Sequence, residues 1–419
     1  MLEQINVYYE GWGERWLWGK LKTTTALIGR PQILFEYSAE ARQKGLELSV
    51  YTLPLAGPHL RSAFPAHQLH LPGPIYDALP DGWGMLLMDR VFKKRGLTSS
   101  DINPLLRLAY IGSNAMGALT FEPAQSENLS AQAHTPIAQL ALEIQEVMQG
   151  EGSEFLQKLL LVGGSPQGAR PKALLYRRPN TEEFTTAPTA GFEAWLIKFP
   201  AQGEHAEVCA IEMAYSAHLR LAGISTPDTH YFALPNGLAA FGSKRFDRTG
   251  ELRIPMQTLA SFTGANYRTP GSLDYVNFLR ATQLCTNDSR EQVKAFTYAV
   301  FNVVFNNRDD HPKNFSYSMT SAGDWILAPA YDVTFCEGPG GYHQMDVMGE
   351  ALAIDRSMLC KLATETCLST SEATAIIDHL CQLAANFSST TTQLYPGLIR
   401  PTSLLKIQDC LNRNIQRLS

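Results

Sequence analysis

The stretch Asn307-Arg308-Asp309-Asp310-His311-Pro312-Lys313-Asn314 is followed, at the end of an apolar run, by Tyr331-Asp332. Moving a phosphoryl group from ATP needs a carboxylate to take the acceptor hydroxyl's proton, plus an amide and a second carboxylate to hold Mg²⁺ on the phosphates. Asp309, Asn314 and Asp332 supply these three types, so Asp309 is the expected base and Asn314 and Asp332 the expected metal ligands. Asp310, His311 and Lys313 stand beside them without a role that spacing can fix. Lys313 is suited to neutralise a γ-phosphate as a point charge. His311 is a second candidate nucleotide contact, although a histidine in such a loop more often makes structural hydrogen bonds.

Immediately upstream, Val293, Phe296, Val300, Val303 and Val304 recur at helical spacing, which predicts a helix anchoring the loop on a buried stripe. Ser289 with Gln292 can form a capping box at its start. Ser369 with Glu372 does the same for a helix carrying Ile376, Ile377, Leu380 and Leu383, and Leu404, Ile407, Leu411, Ile415 and Leu418 share one face of a last helix. From about residue 270 the chain therefore reads as mostly helical.

The first part of the chain reads differently. INVYYEG, ILFEYS and LELSVYTLPL (4 to 56) are short β-branched or aromatic runs between Gly-, Pro- or Ala-rich breaks. Residues 75 to 112 turn helical, and GALTFEP reads as a closing strand. The polar, proline-punctuated segment 123 to 136 reads as a linker. ALLYRR (173 to 178) and AWLIKFP (194 to 200) are expected to be adjacent strands, a helix follows from Ala206 to Leu221, and HYFAL and LAAFGSKRF are two further strands.

A mostly β lobe before a mostly α lobe is the order of a bilobal protein kinase, and Arg-Asp with Asn five residues after the Asp has the spacing of its catalytic loop. The expected fold class is α+β, with boundaries at 1–125, 137–250 and 251–419. That order demands a strand lysine for the α/β-phosphates and a helical glutamate to hold it. Lys198, a lone charge in AWLIKFP, fits the first demand, although a strand-end lysine also commonly just faces water. Glu212 on the next helix fits the second, with Glu207 as its rival.

A phosphate-covering loop belongs just before these strands, where Gly163-Gly164-Ser165-Pro166-Gln167-Gly168 stands. Its glycines allow close backbone approach and offer N–H groups to phosphates; such a run is also a common plain turn. Arg170 and Lys172 would add positive charge. The segment Lys244-Arg245-Phe246-Asp247-Arg248 would join the lobes, with backbone near Lys244 and Phe246 pairing adenine and Asp247 near the ribose, or else form an ordinary strand-end turn.

These residues together resemble the HipA family of serine/threonine kinases, the toxin half of bacterial type II toxin–antitoxin pairs. The matching stretches are FEYS (35 to 38), LPDGWGMLLMDR (79 to 90), IGSNAMGALTFEP (111 to 123), GGSPQGARPKALL (163 to 175), AWLIKFP, EMAYSAHLRLAGI (212 to 224), KRFDR, NNRDDHPKNFSY (306 to 317) and LAPAYDVTF (327 to 335). The resemblance implies a kinase-like fold with an N-terminal subdomain, dependence on ATP and Mg²⁺, and phosphorylation of a protein serine or threonine. By motif position it places Lys198 on the ATP lysine, Asp309 on the base, and Asn314 and Asp332 on the metal ligands. It also implies autophosphorylation in the Gly-rich loop, where Ser165 is the only serine. A dianion there would repel ATP phosphates. Here, however, Ser165-Pro166 falls inside the glycines instead of ahead of them, His311 stands where protein kinases usually carry lysine, and Asp332 lacks a following Phe-Gly. The implied partners are a small helix-turn-helix antitoxin that binds operator DNA and a protein substrate such as an aminoacyl-tRNA synthetase.

Composition sets the outer bounds. With 419 residues, 45% of them apolar, the chain can build sizeable cores; a net charge of −5 and no dense Lys/Arg block leave DNA contact to a partner. Seven scattered cysteines without a Cys-x-x-Cys pair indicate neither a disulfide framework nor zinc and suit a reducing cytosol. The N-terminus lacks signal-peptide order, and no run approaches the roughly 20 apolar residues of a membrane helix. Two other readings use the same residues: a kinase-like module that chiefly holds a DNA-binding partner and co-represses transcription, and a small-molecule or lipid kinase.

Overall fold

The computed structural model of the chain describes residues 2–24, 32–125, 136–163 and 168–419. Gly164 and Ser165, with Pro166 and Gln167, lie outside the described residues, as does most of the expected linker. The fold is α+β, and the chain divides into two compact units, Met1–Glu204 with Phe232–Gln257, and His205–Tyr231 with Thr258–Ser419. Among the described residues no helix is long and apolar enough to cross a membrane.

In the first unit, β1 (Gln4–Tyr9), β2 (Trp16–Thr24), β3 (Gln32–Tyr37), β4 (Leu60–Arg61) and β5 (Leu119–Glu122) form an antiparallel sheet in the order β4-β3-β2-β1-β5. Alternation along β1 sends Ile5, Val7 and Tyr9 inward, as expected of a sheet packed on one face. On β2 and β3, Trp18, Phe35 and Tyr37 pack their rings with centroids 4.9–5.4 Å apart. Gly19 makes room for them, since a Cβ there would fall 2.6 Å from the Phe35 ring. The expected strand LELSVYTLPL is instead a turn. Ser49 Oγ meets Thr52 Oγ1 at 2.8 Å and the Thr52 amide at 3.4 Å, and this local hydroxyl bonding competes with strand pairing.

The second sheet of this unit contains β6 (Lys172–Arg177), β7 (Phe184–Thr185), β8 (Glu193–Lys198), β9 (Thr229–Ala233) and β10 (Ala239–Lys244), in the order β7-β6-β8-β10-β9. The two strands read from ALLYRR and AWLIKFP pair antiparallel, with Lys172 opposite Lys198 and Leu175 opposite Trp195.

The boundary expected between 125 and 137 falls inside the first compact unit. Trp83, Leu87 and Val91 of α1 (Gly82–Lys94) lie in one buried cluster with Ile137, Leu140, Ile144, Leu156 and Leu159, and with Ala173, Trp195, Ile197, Phe232 and Ala240 of the second sheet. An amphipathic helix must bury its apolar stripe, and this one does so on the sheet that follows it.

The second unit begins with α2 (Glu207–Leu221), which the expected boundaries had placed with the second sheet. After it come α3 (Tyr275–Thr286), α4 (Ser289–Val304), a hairpin of Ser316–Met319 with Trp325–Leu327, and the helices α5 (Arg356–Ala363), α6 (Thr370–Ala385), α7 (Phe387–Leu394) and α8 (Pro401–Leu418). The cap of α4 falls one residue earlier than expected: Asp288 accepts the Arg290 amide at 2.8 Å, and Gln292 Nε2 turns to the Leu279 carbonyl. Its stripe is also wider than predicted, because Ala295, Phe296 and the run from Tyr298 to Val304 are all buried. The Ser369–Glu372 capping box on α6 is present with both of its bonds.

Candidate active site

The loop leaving α4 is held by main-chain and amide bonds. Asn306, at φ 54°, donates from Nδ2 to the Cys336 carbonyl at 3.0 Å, and its own carbonyl accepts the Cys336 amide at 3.1 Å. Asn307 Nδ2 donates to Asn302 Oδ1 on α4 at 2.9 Å. The loop therefore enters the Asp309 segment already fixed at its base.

The two adjacent aspartates have opposite surroundings. Asp309 keeps half of its side chain in solvent, with His311 Nε2 3.8 Å from Oδ1. Asp310 is fully buried and accepts three donors: Tyr275 Oη at 2.7 Å, His343 Nδ1 at 2.8 Å and the Gln344 amide at 2.7 Å. Because a carboxylate only accepts, the His343 hydrogen sits on Nδ1. Tyr275 in turn accepts from Asn302 Nδ2 at 3.1 Å, and burial, then the Asp310 charge, push its phenol well above the ordinary tyrosine value. Asp310 is an anchor, and the accessible carboxylate is Asp309.

Asn314 Nδ2 donates to the Asp309 carbonyl at 2.7 Å. Only the NH₂ end of the amide can make that bond, so Oδ1 is the atom left to meet a hard cation. Tyr331 then joins the Asp332 segment to the loop: its hydroxyl lies 2.6 Å from both the Lys313 carbonyl and Ser316 Oγ. Asp332 adopts φ 56°, a left-handed conformation that aspartate tolerates better than most side chains. Asp309, His311, Lys313, Asn314 and the Asp332 backbone are thus gathered within one unit. Lys313 is buried with Nζ 4.5 Å from the Tyr267 ring centroid, and the His311 ring lies 5.5 Å from the same ring.

On α2, the two candidate glutamates separate. Glu207 Oε1 accepts from Arg400 and from Ser403 Oγ at 2.8 Å, and Oε2 accepts the Arg400 amide at 2.9 Å. Burial opposes its charge, but the Arg400 and Ser403 hydrogen bonds outweigh it and bring its pKa down to about 2. Glu207 is therefore committed to α8, while Glu212 is buried on another face of the helix.

In the first unit, Lys172 and Lys198 stand opposite each other on β6 and β8, both buried, with Lys198 Nζ 5.9 Å from the Phe241 ring centroid. Directly opposite residues of an antiparallel pair share a face. Gly163 ends the helix Leu156–Gly163, where a Cβ would collide with the Lys172 carbonyl, and Gly168, at φ 102°, leaves the space that Lys172 Nζ fills. The Gly168 amide donates to Asp81 Oδ1, and its carbonyl accepts the Trp83 amide at 3.2 Å. Arg170 is bonded to Glu204. Lys244 turns its Nζ to Glu193 Oε1 at 2.7 Å, and Phe246 is half-buried.

Asp247 departs from expectation. It is fully buried, with Arg245 Nε and Nη2 on its two oxygens at 2.9 and 2.7 Å and Arg248 Nη1 on Oδ2 at 2.7 Å. Both of its oxygens are engaged by arginines of its own segment. Tyr275 and His343 were invisible as site residues because nothing in their local sequence marks them, and Tyr331 was quoted beside Asp332 without a role of its own. Asp81 lay in a recognisable motif but without a partner that sequence could name.

Among solved structures, the chain is similar to Shewanella oneidensis MR-1 HipA in a toxin–antitoxin complex with HipB and operator DNA, at 16% identity over 100% of this chain and 97% of that one, with a TM-score of 0.73. It therefore has the HipA fold. A Helicobacter pylori proinflammatory kinase, CtkA, matches at 12% identity over 55% of this chain and 89% of that one, with a TM-score of 0.36. The family model of the HipA-like C-terminal domain matches residues 164–387, and that of the HipA N-terminal domain matches 11–122. The chain belongs to the HipA family. No curated protein matches its sequence.

Proposed function

We propose that the protein is an ATP- and Mg²⁺-dependent serine/threonine kinase acting as the toxin of a type II toxin–antitoxin pair. The observation that carries this reading is the Tyr331 hydroxyl, which ties the Asp332 segment to the Asp309–Asn314 loop. Asp309 takes the proton of the acceptor hydroxyl as its oxygen attacks the γ-phosphorus; the bond to the β–γ bridging oxygen breaks and ADP leaves. Asn314 Oδ1 and the Asp332 carboxylate are the ligands for the metal, which supplies charge neutralisation at the phosphates. Among the described residues no three His, Cys, Asp or Glu side chains form a metal cage.

Lys172 and Lys198 are the proposed phosphate partners. They stand directly opposite each other on paired strands and so share one face of the sheet. Gly163, Gly164, Ser165 and Gly168 would cover the phosphates, Glu212 would orient Lys198, and the Lys244 and Phe246 backbone would meet adenine. Lys313 and His311 are further candidate contacts. Autophosphorylation at Ser165 would place a dianion in that same position. The HipB-bound relative supports a helix-turn-helix antitoxin as partner, with operator DNA reached through it. A translation component such as an aminoacyl-tRNA synthetase is the proposed substrate.

Expressing wild type and Asp309→Gln, with and without a co-expressed helix-turn-helix antitoxin, tests this reading. Wild type alone should arrest growth and transfer ³²P from labelled ATP to a cellular protein. Equal growth of both strains with no transfer would refute it.

A further inference from the structure

A cavity of about 250 Å³ opens in the second unit behind the catalytic loop, lined by Asn306, Arg308, Glu337, Cys410, Arg413, Asn414 and Arg417 among others. Three of these are arginines, one on the loop next to Asp309 and two on the last turns of α8. The only acid in the lining, Glu337, is bonded to Lys406 through Oε2. Among the described residues no arginine of the three has a carboxylate partner. Arg308 reaches only main-chain oxygens, those of Gly341 and of Glu337 at 3.4 Å, and its Nε is buried without an acceptor. Arg417 donates to the Leu352 carbonyl at 2.6 Å and to Asn414 Oδ1 at 2.5 Å, and Arg413 touches only Cys410 Sγ, at 2.9 Å.

Cations are favoured at a helix C-terminus, which accounts in part for Arg413 and Arg417. It does not account for Arg308, whose charge is disfavoured first by burial and then by Arg417 and Arg413, with Cys410 and Asp310 offsetting part of this. Converging guanidinium groups at a cavity that lacks a free carboxylate present the donor geometry that suits an oxyanion, and the volume admits one phosphoryl group.

We propose that this pocket is a second anion site, separate from the nucleotide phosphates, which binds a phosphoryl dianion between Arg308, Arg413 and Arg417. Either inorganic phosphate or the phosphate ester of a serine or threonine side chain would present that chemistry. Bound there, it would cross-link the catalytic loop to α8 through Arg308 and so hold the main chain that carries Asp309. The inference does not rest on the kinase reading, since it needs only the arginines and their cavity.

The test is a titration of the full-length protein with inorganic phosphate and, in parallel, with phosphothreonine amide, read by ³¹P NMR line broadening at constant ionic strength. Wild type should bind with millimolar or better affinity. Arg413→Gln and Arg417→Gln should each weaken binding about 10-fold, as loss of one charge-assisted bond implies. Arg413→Gln removes no main-chain contact, so it remains folded even if Arg417→Gln does not. Lys198→Ala, which alters the other cluster of buried cations, should leave the titration intact. Tighter binding of phosphate identifies a free anion as the occupant; tighter binding of the amino-acid ester identifies a phosphorylated side chain. Binding that survives Arg413→Gln but disappears in Lys198→Ala, or no binding by wild type at 20 mM ligand, would overturn the proposal.

Discussion

Asp247 Oδ2 accepts the backbone amide of Gly117 at 2.8 Å, across 130 positions of sequence. Arg248 doubles the tie, donating to the carbonyls of Gly117 and Ala115 at 3.0 Å each. A buried carboxylate thus pins the turn before β5 to the segment after β10. Burial alone would raise the pKa of Asp247, but Arg245, Arg248 and the Gly117 amide hold it far below the ordinary carboxylate value.

Replacing that carboxylate removes the acceptor and strands the arginines. Asp247→Asn should cost about 3–5 kcal/mol of stability, the usual penalty for breaking a buried ion network from one side. Urea unfolding followed by tryptophan fluorescence measures it. A variant within about 1 kcal/mol of wild type would show that the network contributes little.

The neighbouring aspartates should separate chemistry from folding. Asp309→Asn should lower kcat for phosphoryl transfer by about 10²–10⁴ with its melting temperature almost unchanged. Asp310→Asn should lower the melting temperature by several degrees, since it breaks a buried pairing with Tyr275, His343 and Gln344. Melting curves and ³²P transfer on the same preparations tell the two apart.

Asp81 caps the exit of the Gly-rich loop through the Gly168 amide. Asp81→Ala leaves the Gly168 amide without this acceptor, so the KM for ATP should rise about 10-fold, while kcat at saturating ATP changes less. Steady-state kinetics over a range of ATP concentrations distinguishes this positioning effect from a general loss of folded protein, which would lower kcat alone.

His218 gives the acid limb of stability a specific source. Its Nδ1 lies 2.9 Å from the Ala214 carbonyl, and its ring packs 4.5 Å from that of Phe387. Burial holds its pKa below the ordinary histidine value despite that carbonyl. The unfolded chain takes up a proton near pH 6.5 that the folded one excludes, so stability is full above about pH 6.5 and declines as pH falls toward the lowered folded value. His218→Leu should flatten this decline by up to about 1.4 kcal/mol per pH unit relative to wild type. Melting temperatures at pH 5.5 and 7.5 provide the comparison.

How much of this was legible in the chain depended on the range of the interaction. The strands carrying Lys172 and Lys198, the helix ahead of Asp309 and the Ser369 cap are set by neighbours a few residues apart, and periodicity finds them. Asp309, Asn314 and Asp332 stood out because residue type and spacing state their chemistry. The partners of Asp247 were hidden because they include an amide in a turn far upstream. The division between Asp309 and Asp310 was likewise hidden, since burial by Tyr275 and His343 is a property of packing. The apolar cluster shared by Trp83 and the second sheet was hidden for the same reason, because a polar linker says nothing about which surfaces its flanks bury.

The shared apolar cluster of the first unit bears on how the chain is made. Trp83, Leu87 and Val91 leave the ribosome long before Ala240, and at about 5–20 residues per second they wait on the order of ten seconds for their last neighbour. During that interval α2, which belongs to the other unit, is synthesised between the two parts of the first. The apolar face around Trp83 is therefore completed in stages during translation, and its last strand arrives only after a helix of the other unit has been made.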